Sequence, residues 1–493
     1  MRSVSLRDRE SKPSVVRSHP VEWDGTKEPT GRNLSMRLVI VGGVAAGTKA
    51  ASRARRVDPG MEITVYQEEP EPSISECGLP YLLSGMVEGR DRLVARTPEK
   101  FAEQDIEVRV RHRVERVYPN KKTLSVRDTG TGEAFEDRYD RLIIATGARA
   151  VLPPIPGADL DGIFPLRFLT DADKIMAYIG DRSPGKAVVV GGGYIGLEVA
   201  ENLCRIGMKV ALIEGADRVA LAYGSEVSER VEAELERNGV DIFTGEKVEE
   251  FVGDGRVRAV RFGGEEIGAD LVIFGVGVRP SVDLAREAGV EIGATGAIRV
   301  DRHMRTNLPD IWAAGDCIET VNLVSGKPAW VPLGDTANQM GRVAGTNAAT
   351  EEDTLEFPGV LGTGIFQVYD LGVGKTGLSE EEAEAAGYET VSAGVEARDR
   401  AGYYPGAQKV FLKLIVDAET GRLLGAESAG SGADKLVDIC ATAIWGRLSY
   451  PDLVNIDLAY SPPFGPALSP VIQAATILSG KFDRAREGAR VTE

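Results

Sequence analysis

Short apolar runs followed by glycine-rich turns are the most regular feature of the chain. Residues 38–41 form an apolar run, which predicts a strand buried on both faces. The glycine-rich segment 42–47 follows, and residues 48–57 predict a helix that ends before Asp58-Pro59-Gly60. Glu62–Tyr66 predicts the next strand. The pattern is therefore a strand, turn, helix and strand unit.

The same unit occurs a second time. Residues 187–190 predict a strand, 191–196 a glycine-rich turn, 197–206 a helix that Gly207 ends, and 209–213 another strand. Two such units indicate an internal duplication of function. They predict an α/β fold with two Rossmann-like halves.

The pattern changes beyond residue 356. Residues 411–416 predict a strand and 435–445 an amphipathic helix, while the proline-rich segment 461–466 separates this helix from a last short helix. We expect a third, α+β domain here.

The charge balance excludes some partners. The chain has 493 residues and a formal net charge of -17. At about 100–200 residues per domain, this length corresponds to several domains. The acidic excess argues against nucleic acid or an anionic membrane as partner, because phosphate binding needs a basic face. No apolar run approaches the length of a membrane span, so none is expected.

Cysteine and histidine are scarce. The four cysteines, at 77, 204, 317 and 440, make neither a metal-binding spacing nor a disulfide framework. We therefore expect no metal and a cytoplasmic protein. No histidine follows His303, which excludes a C-terminal histidine base. Residues 1–35 are rich in polar and charged side chains and predict a disordered arm.

Each glycine-rich turn is a candidate dinucleotide site, because its backbone N–H groups can approach a pyrophosphate at a helix N-terminus. The second turn fills all three fingerprint positions with Gly191, Gly193 and Gly196. Glu214 ends the following strand, where a carboxylate binds a ribose 2′-OH and repels a 2′-phosphate. This favours NADH over NADPH, although Arg218 is close enough to weaken the preference.

The first turn departs from the fingerprint at two places. Val44 replaces the middle glycine, and Gln67 stands where the acid is expected, with Glu68 next to it. Three glycines remain, namely Gly42, Gly43 and Gly47. We expect the pyrophosphate turn to survive and the ribose contact to fall to Gln67 or Glu68. Tight packing of strand against helix is the alternative explanation of both turns.

Cys77 is the candidate redox residue. Gly78 and Pro80 follow it and indicate a fixed turn that opens a helix. A thiol near a helix N-terminus has a lowered pKa, which makes Cys77 a candidate nucleophile. Glu76 acts in the opposite direction, since repulsion by a like charge raises a thiol pKa. A structural cysteine is the alternative.

Three further motifs add to the two glycine-rich turns and resemble those of a known family. Segment 141–148 leads into Thr146-Gly147, segment 269–280 contains Gly275-Val276-Gly277, and segment 310–316 ends in Asp316. In this order the motifs resemble the pyridine nucleotide-disulfide oxidoreductases, flavoproteins that bind two nucleotides. The resemblance covers residues 36 to about 485. It implies FAD in the first unit, NAD(P)H in the second, and a homodimer formed through the C-terminal domain.

The resemblance also implies domain boundaries and cofactor contacts. It places an FAD domain at 36–152 and 281–355, an NAD(P)H domain at 153–280, a dimerisation domain at 356–485 and a tail at 486–493. The implied FAD contacts are Gly42, Gly43, Ala46, Gly47, Gln67, Glu68, Thr146, Gly147, Asp316 and Tyr460, with Asp316 holding the ribityl chain. The implied NAD contacts are Gly191, Gly193, Tyr194, Ile195, Gly196, Glu214 and Gly277.

The residues also select a branch of the family. Members with two cysteines use Cys-x4-Cys and a C-terminal histidine, but Leu82 stands at the partner position and the histidine is missing. Peroxidase-type members carry a histidine in the first turn, where this chain has Ala45. The single-cysteine branch remains, with reductases of coenzyme A disulfide, persulfide or polysulfide. An NADH oxidase and a non-enzymatic redox sensor are the alternatives.

Within this branch the chain most resembles coenzyme A-disulfide reductases, through segments 97–101, 332–347, 402–406 and 459–464. This implies a small-molecule disulfide or persulfide as substrate and a mixed disulfide of coenzyme A on Cys77. Tyr460, with Tyr403 or Tyr404, would donate protons from the partner subunit; interface packing is the alternative. The implied substrate contacts are Lys49, Arg53, Arg56, Ser73, Glu76 and Asn338.

Two positions depart from that subfamily. Glu76 replaces an asparagine, and Leu468 replaces a basic residue. Both changes make the pocket less favourable for an anionic substrate.

Overall fold

Both glycine-rich units form parallel sheets in the computed structural model, which describes residues 36–492. The predicted arm at 1–35 lies outside the described residues. The elements of the first unit are β1 (Arg37–Val41), α1 (Ala45–Val57), β2 (Glu62–Tyr66), α2 (Leu79–Leu83), α3 (Pro98–Ala102), β3 (Ile106–Arg109), β4 (His112–Tyr118), β5 (Thr123–Asp128), β6 (Ala134–Arg138), β7 (Arg141–Ile144) and β8 (Ala148–Ala150).

The second unit follows directly. Its elements are β9 (Ile163–Pro165), α4 (Leu169–Arg182), β10 (Lys186–Val190), α5 (Tyr194–Arg205), β11 (Lys209–Glu214), α6 (Ser225–Arg237), β12 (Val240–Thr244), β13 (Val248–Asp254), β14 (Arg256–Phe262), β15 (Glu265–Gly268), β16 (Leu271–Phe274) and β17 (Val278–Pro280). The chain then returns to the first unit with α7 (Asp283–Glu287), β18 (Ile311–Ala313), β19 (Thr320–Val321), β20 (Pro328–Ala329) and α8 (Gly334–Asn347).

The first sheet has the strand order β18-β7-β1-β2-β3, and all its pairs are parallel. Every residue of β1 is buried, as expected for a central strand covered on both faces. β18 comes from beyond the second unit, so two separate parts of the chain build this sheet. The second sheet has the order β12-β11-β10-β16-β9 and is also parallel.

The remaining elements form an antiparallel sheet covered by helices. They are β21 (Gly364–Val368), β22 (Leu371–Gly377), α9 (Glu380–Ala386), β23 (Thr390–Arg398), β24 (Lys409–Asp417), β25 (Leu423–Gly430), α10 (Ala433–Trp445), α11 (Tyr450–Val454) and α12 (Pro470–Thr492). The sheet has the order β21-β22-β25-β24-β23. The predicted α/β fold with a C-terminal α+β domain is thereby confirmed.

Some predicted boundaries are wrong. Helices α1 and α5 begin at Ala45 and Tyr194 rather than at 48 and 197, because the last glycine of each turn already lies in the first helical turn. The last helix is not short: α12 continues to Thr492, through most of the predicted tail at 486–493. No helix in the described range is long and apolar enough to cross a membrane.

Candidate active site

The two glycine-rich turns have the same construction. The backbone N–H of Gly43 donates to Gln67 Oε1 at 2.7 Å, and that of Gly192 donates to Glu214 Oε2 at 2.6 Å. Gly42 opens the first turn with φ +106°, and the second turn opens in the same way. A side chain at Gly42 would overlap the carbonyl of Ala145, so only glycine fits there. The duplication therefore extends to individual hydrogen bonds.

The second turn fits a pyrophosphate. A Cβ on Gly193 would meet no protein atom within 4 Å, so the backbone there is open to a ligand. Both carboxylate oxygens of Glu214 accept backbone bonds, the second from Ala216 N at 2.7 Å, and this fixes the acid at the edge of the turn. Gly277 is equally open, and Tyr194 is exposed at the start of α5. The predicted contacts Gly193, Gly277 and Tyr194 are thus accessible, and their binding of a coenzyme stays a prediction.

The first turn is built like the second. Gln67 is buried against the turn, whereas Glu68 is exposed and faces Arg113, with Oε1 and Nη1 3.6 Å apart. The structure therefore places Gln67 and not Glu68 against the turn, and the ribose contact stays a prediction. Thr146 and Gly147 follow β7 next to Gly42, and the surroundings of Gly147 are open.

Cys77 lies in a single helical turn, Glu76–Gly78, immediately before α2. The residue is exposed, whereas Leu82 at the position of a second cysteine is buried. The predicted lowering of the Cys77 pKa is wrong. Desolvation raises the pKa of the thiol, and the carboxylates of Glu198 and Glu76 raise it further. The short helix α2 does not offset these charges; the predicted effect of Glu76 is confirmed.

Arg167 supplies positive charge beside the thiol. Its Nη1 lies 2.7 Å from Glu76 Oε2, and its Nη2 lies 3.2 Å from Asp316 Oδ2. Burial raises the pKa of Glu76 to about 7 and raises that of Asp316, while Arg167 acts against both shifts. Arg167 also lowers the pKa of Cys77. The sequence gives no signal for Arg167, because only the fold brings it next to Cys77.

Glu198 and Tyr81 connect the cysteine segment to the second unit. Tyr81 Oη donates to Glu198 Oε1 at 2.9 Å, and burial raises the pKa of Glu198 to about 7. Glu198 follows Tyr194 by one turn of α5, so both face α2. Desolvation and then the charge of Cys77 raise the pKa of Tyr194. The spacing of Tyr194 and Glu198 is the only sequence signal for this contact.

Four arginines form a basic patch, defined here as the arginine cluster: Arg53, Arg56, Arg96 and Arg342. Desolvation, Arg342 and Arg56 lower the pKa of Arg53, and desolvation and Arg56 lower that of Arg96. Arg53 Nε donates to Thr346 Oγ1 at 2.9 Å, which ties α1 to α8. Two members, Arg96 and Arg342, are not among the sequence predictions.

The other predicted substrate contacts lie around this cluster. Lys49 lies on α1, one turn before Arg53. Asn338 is exposed on α8, one turn before Arg342, and that spacing could have indicated the arginine. Ser73 N donates to Gly43 O at 2.7 Å, so it links the first turn to the cysteine segment.

Tyr403, Tyr404 and Tyr460 are exposed on the C-terminal domain. Tyr460 raises the pKa of Tyr403, so the two side chains interact. We refer to them as the Tyr403–Tyr460 pair. Ala401 N donates to Pro462 O at 3.2 Å and joins the two tyrosine loops. Among the described residues, no hydrogen bond connects these tyrosines to Cys77 of the same chain.

Comparison with known proteins identifies the family. The model named pyridine nucleotide-disulphide oxidoreductase matches residues 36–341, and that of the corresponding dimerisation domain matches residues 365–471. These matches, together with the two nucleotide-type turns, define an oxidoreductase. The chain belongs to the pyridine nucleotide-disulphide oxidoreductase family.

Individual relatives are similar over nearly the whole chain. An NAD(P)H coenzyme A polysulfide/persulfide reductase from Pyrococcus horikoshii is 37% identical over 450 residues, covering 91% of this chain and 99% of its own. A coenzyme A disulfide reductase from Staphylococcus haemolyticus is 32% identical over 431 residues, covering 87% and 96%. The solved structure of an NAD-dependent persulfide reductase from A. fulgidus matches with a TM-score of 0.88 at 40% identity, covering 91% and 84%.

Proposed function

We propose that this chain is an NADH-dependent flavoprotein that reduces coenzyme A disulfide, or a persulfide of coenzyme A or another small thiol, through Cys77. The position of Cys77 carries the proposal. It is exposed, follows the first nucleotide turn, and interacts electrostatically with Tyr194 and Glu198 of the second unit. A disulfide bound there would be within reach of both nucleotide sites.

The first step is thiol–disulfide exchange at Cys77. Its thiolate attacks one substrate sulfur, so a bond to Cys77 forms as the substrate S–S bond breaks, and the second sulfur leaves as a thiolate. Arg167 stabilises the attacking thiolate, while Glu76 and Glu198 favour its protonated form. Bound FAD would supply two-electron transfer from NADH to the mixed disulfide, whose S–S bond breaks to give the Cys77 thiolate and a second substrate thiolate.

A proton must reach the leaving thiolate. No histidine follows His303, and the Tyr403–Tyr460 pair is the exposed proton donor of the C-terminal domain. A phenol of pKa about 10 can protonate a thiolate of pKa about 8–9 at modest cost. We assign this pair to the cysteine of the partner subunit in a homodimer.

The arginine cluster supports coenzyme A as the bound thiol. Arg342 and Arg56 lower the pKa of Arg53, and Arg56 lowers that of Arg96, so an anion placed between these groups relieves their repulsion. Arginine is well suited to phosphate groups. The cluster provides local positive charge in a chain whose net charge is -17. A cytoplasmic location follows from the sparse cysteines as part of the same proposal.

Anaerobic titration tests the proposal. We expect the purified protein to be yellow and to bleach on addition of NADH. NADH consumption is then measured with coenzyme A disulfide, coenzyme A persulfide, polysulfide and oxygen as separate acceptors. A preference for a coenzyme A acceptor supports the proposal. Consumption with oxygen alone supports an NADH oxidase, and failure to bleach removes the enzymatic assignment.

A further inference from the structure

The loop after β11 lies over the second glycine-rich turn. A Cβ on Gly192 would lie 3.0 Å from Val219 Cγ1 and 3.2 Å from Glu214 Oε2. Ala220 N also donates to Gly192 O at 2.8 Å. Arg218 immediately precedes Val219 in this loop.

The guanidinium of Arg218 is already engaged. Its Nη2 lies 3.0 Å from Glu381 Oε1, and its Nη1 lies 3.4 Å from Asp217 Oδ1. The Arg218 side chain is only 19% exposed. Both terminal nitrogens face carboxylates, and the buried Nε has no acceptor among the described residues.

Glu381 comes from the C-terminal domain. It lies on α9, and its side chain is 74% exposed. The C-terminal domain also binds the far end of this loop. Lys375 Nζ donates to Ala222 O at 2.8 Å, and Gly224 N donates to Glu427 Oε2 at 3.0 Å. The C-terminal domain thus holds the loop that borders the coenzyme ribose.

We propose that Glu381 is a specificity-determining residue for the coenzyme: it holds Arg218 in an ion pair and so favours NADH over NADPH. This inference rests on the proposed function of the second turn. A 2′-phosphate entering this edge would meet the carboxylate of Glu214 and one cation, Arg218, which is already paired with Asp217 and Glu381. Without Glu381, the guanidinium of Arg218 becomes available to bind the 2′-phosphate of NADPH.

The substitution Glu381→Gln tests the inference in the flavin-loaded protein. We expect the dissociation constant of NADP+, measured by calorimetry, to fall about tenfold, the effect of one charge-assisted hydrogen bond. The dissociation constant of NAD+ should change less than about twofold, and kcat/KM should shift toward NADPH in the same proportion. Glu384→Gln removes an exposed acid of the same helix and serves as the matched control.

The dependence on Arg218 separates this explanation from a general charge effect. In the double variant Arg218→Ala, Glu381→Gln, the gain for NADP+ should disappear. An unchanged NADP+ affinity in Glu381→Gln, with NADH still bleaching the flavin, overturns this inference and leaves the proposed function intact. If the double variant still binds NADP+ more tightly than the wild type does, the inference is overturned as well. If neither coenzyme bleaches the wild-type flavin, the proposed function fails first.

Discussion

The guanidinium of Arg167 lies 2.7 Å from the carboxylate of Glu76, the residue that precedes Cys77. Both side chains are mostly buried, at 15% and 19% exposure. The cation that stabilises the thiolate is thus partly neutralised by a neighbouring acid. The asparagine that the resemblance leads us to expect at this position would leave Arg167 free to act on the thiol.

Substitutions at the two residues should move the thiol pKa in opposite directions. Glu76→Gln removes a negative charge and releases Arg167, so the pKa of Cys77 should fall by about one unit. Arg167→Gln should raise it by a similar amount, about one unit. The measurement is the pH dependence of iodoacetamide alkylation, in a Cys204→Ser background that removes the other partly exposed cysteine. Equal midpoints in both variants would show that the ion pair does not control the thiol.

Glu76 should also make stability depend on pH. Its pKa is about 7 in the folded protein and about 4.3 in an unfolded chain. The folded state therefore binds this proton more tightly, and stability should decrease as the pH rises from about 4 to 7 and then level off. Glu76→Gln should reduce the difference in Tm between pH 5 and pH 8. If the difference in Tm stays the same, other groups cause the pH dependence of stability, and Glu198 is the first candidate.

The arginine cluster should select phosphate-bearing substrates. Arg342→Ala should raise KM for coenzyme A disulfide about tenfold, because it removes a charge-assisted contact. The KM for pantethine, a related disulfide without phosphate, should stay within about twofold. An equal increase for both substrates would mean that Arg342 supports the fold and not the recognition of phosphate.

The tyrosine pair should act across the subunit interface. Tyr460→Phe should lower kcat about a hundredfold, the usual effect of losing a general acid. Tyr403→Phe should lower kcat as well, and Tyr404→Phe should have the smallest effect because it is outside the pair.

Mixed dimers test the direction of this contact. A dimer of one Cys77→Ser subunit and one Tyr460→Phe subunit keeps one complete site if the tyrosine comes from the partner. We expect such dimers, purified with two different tags, to recover about half of the wild-type activity, as one of two independent sites would. No recovery would place both residues in the same subunit's site.

The two nucleotide units are the part of the fold that can be predicted from the sequence. Their signals are local: an apolar run, closely spaced glycines and a carboxylate at the next strand end. The sequence also shows that Gln67 replaces the acid in the first unit. In the structure, the amide oxygen of Gln67 accepts a hydrogen bond from Gly43 N, as Glu214 does from Gly192 N.

The surroundings of Cys77 could not be predicted in the same way. Arg167 and Glu198 lie far from it in sequence, and the pairing of sheets and helices brings them together. Burial and the charges of Glu198 and Glu76 reverse the lowering of the Cys77 pKa expected at a helix N-terminus, and Arg167 opposes them. Arg96 and Arg342 are also distant in sequence from Arg53 and Arg56, and only the fold brings the four together. Helix α8, which carries Arg342, returns to α1 only after the second unit is complete.

The most direct test of the account is the anaerobic rate of NADH oxidation by the Cys77→Ser variant with coenzyme A disulfide as acceptor. We predict that this variant still bleaches on addition of NADH, because both nucleotide turns are intact. Turnover with the disulfide should fall at least about a thousandfold, since serine cannot form the mixed disulfide. A Cys77→Ser protein that reduces coenzyme A disulfide at the wild-type rate would contradict the central role of this thiol.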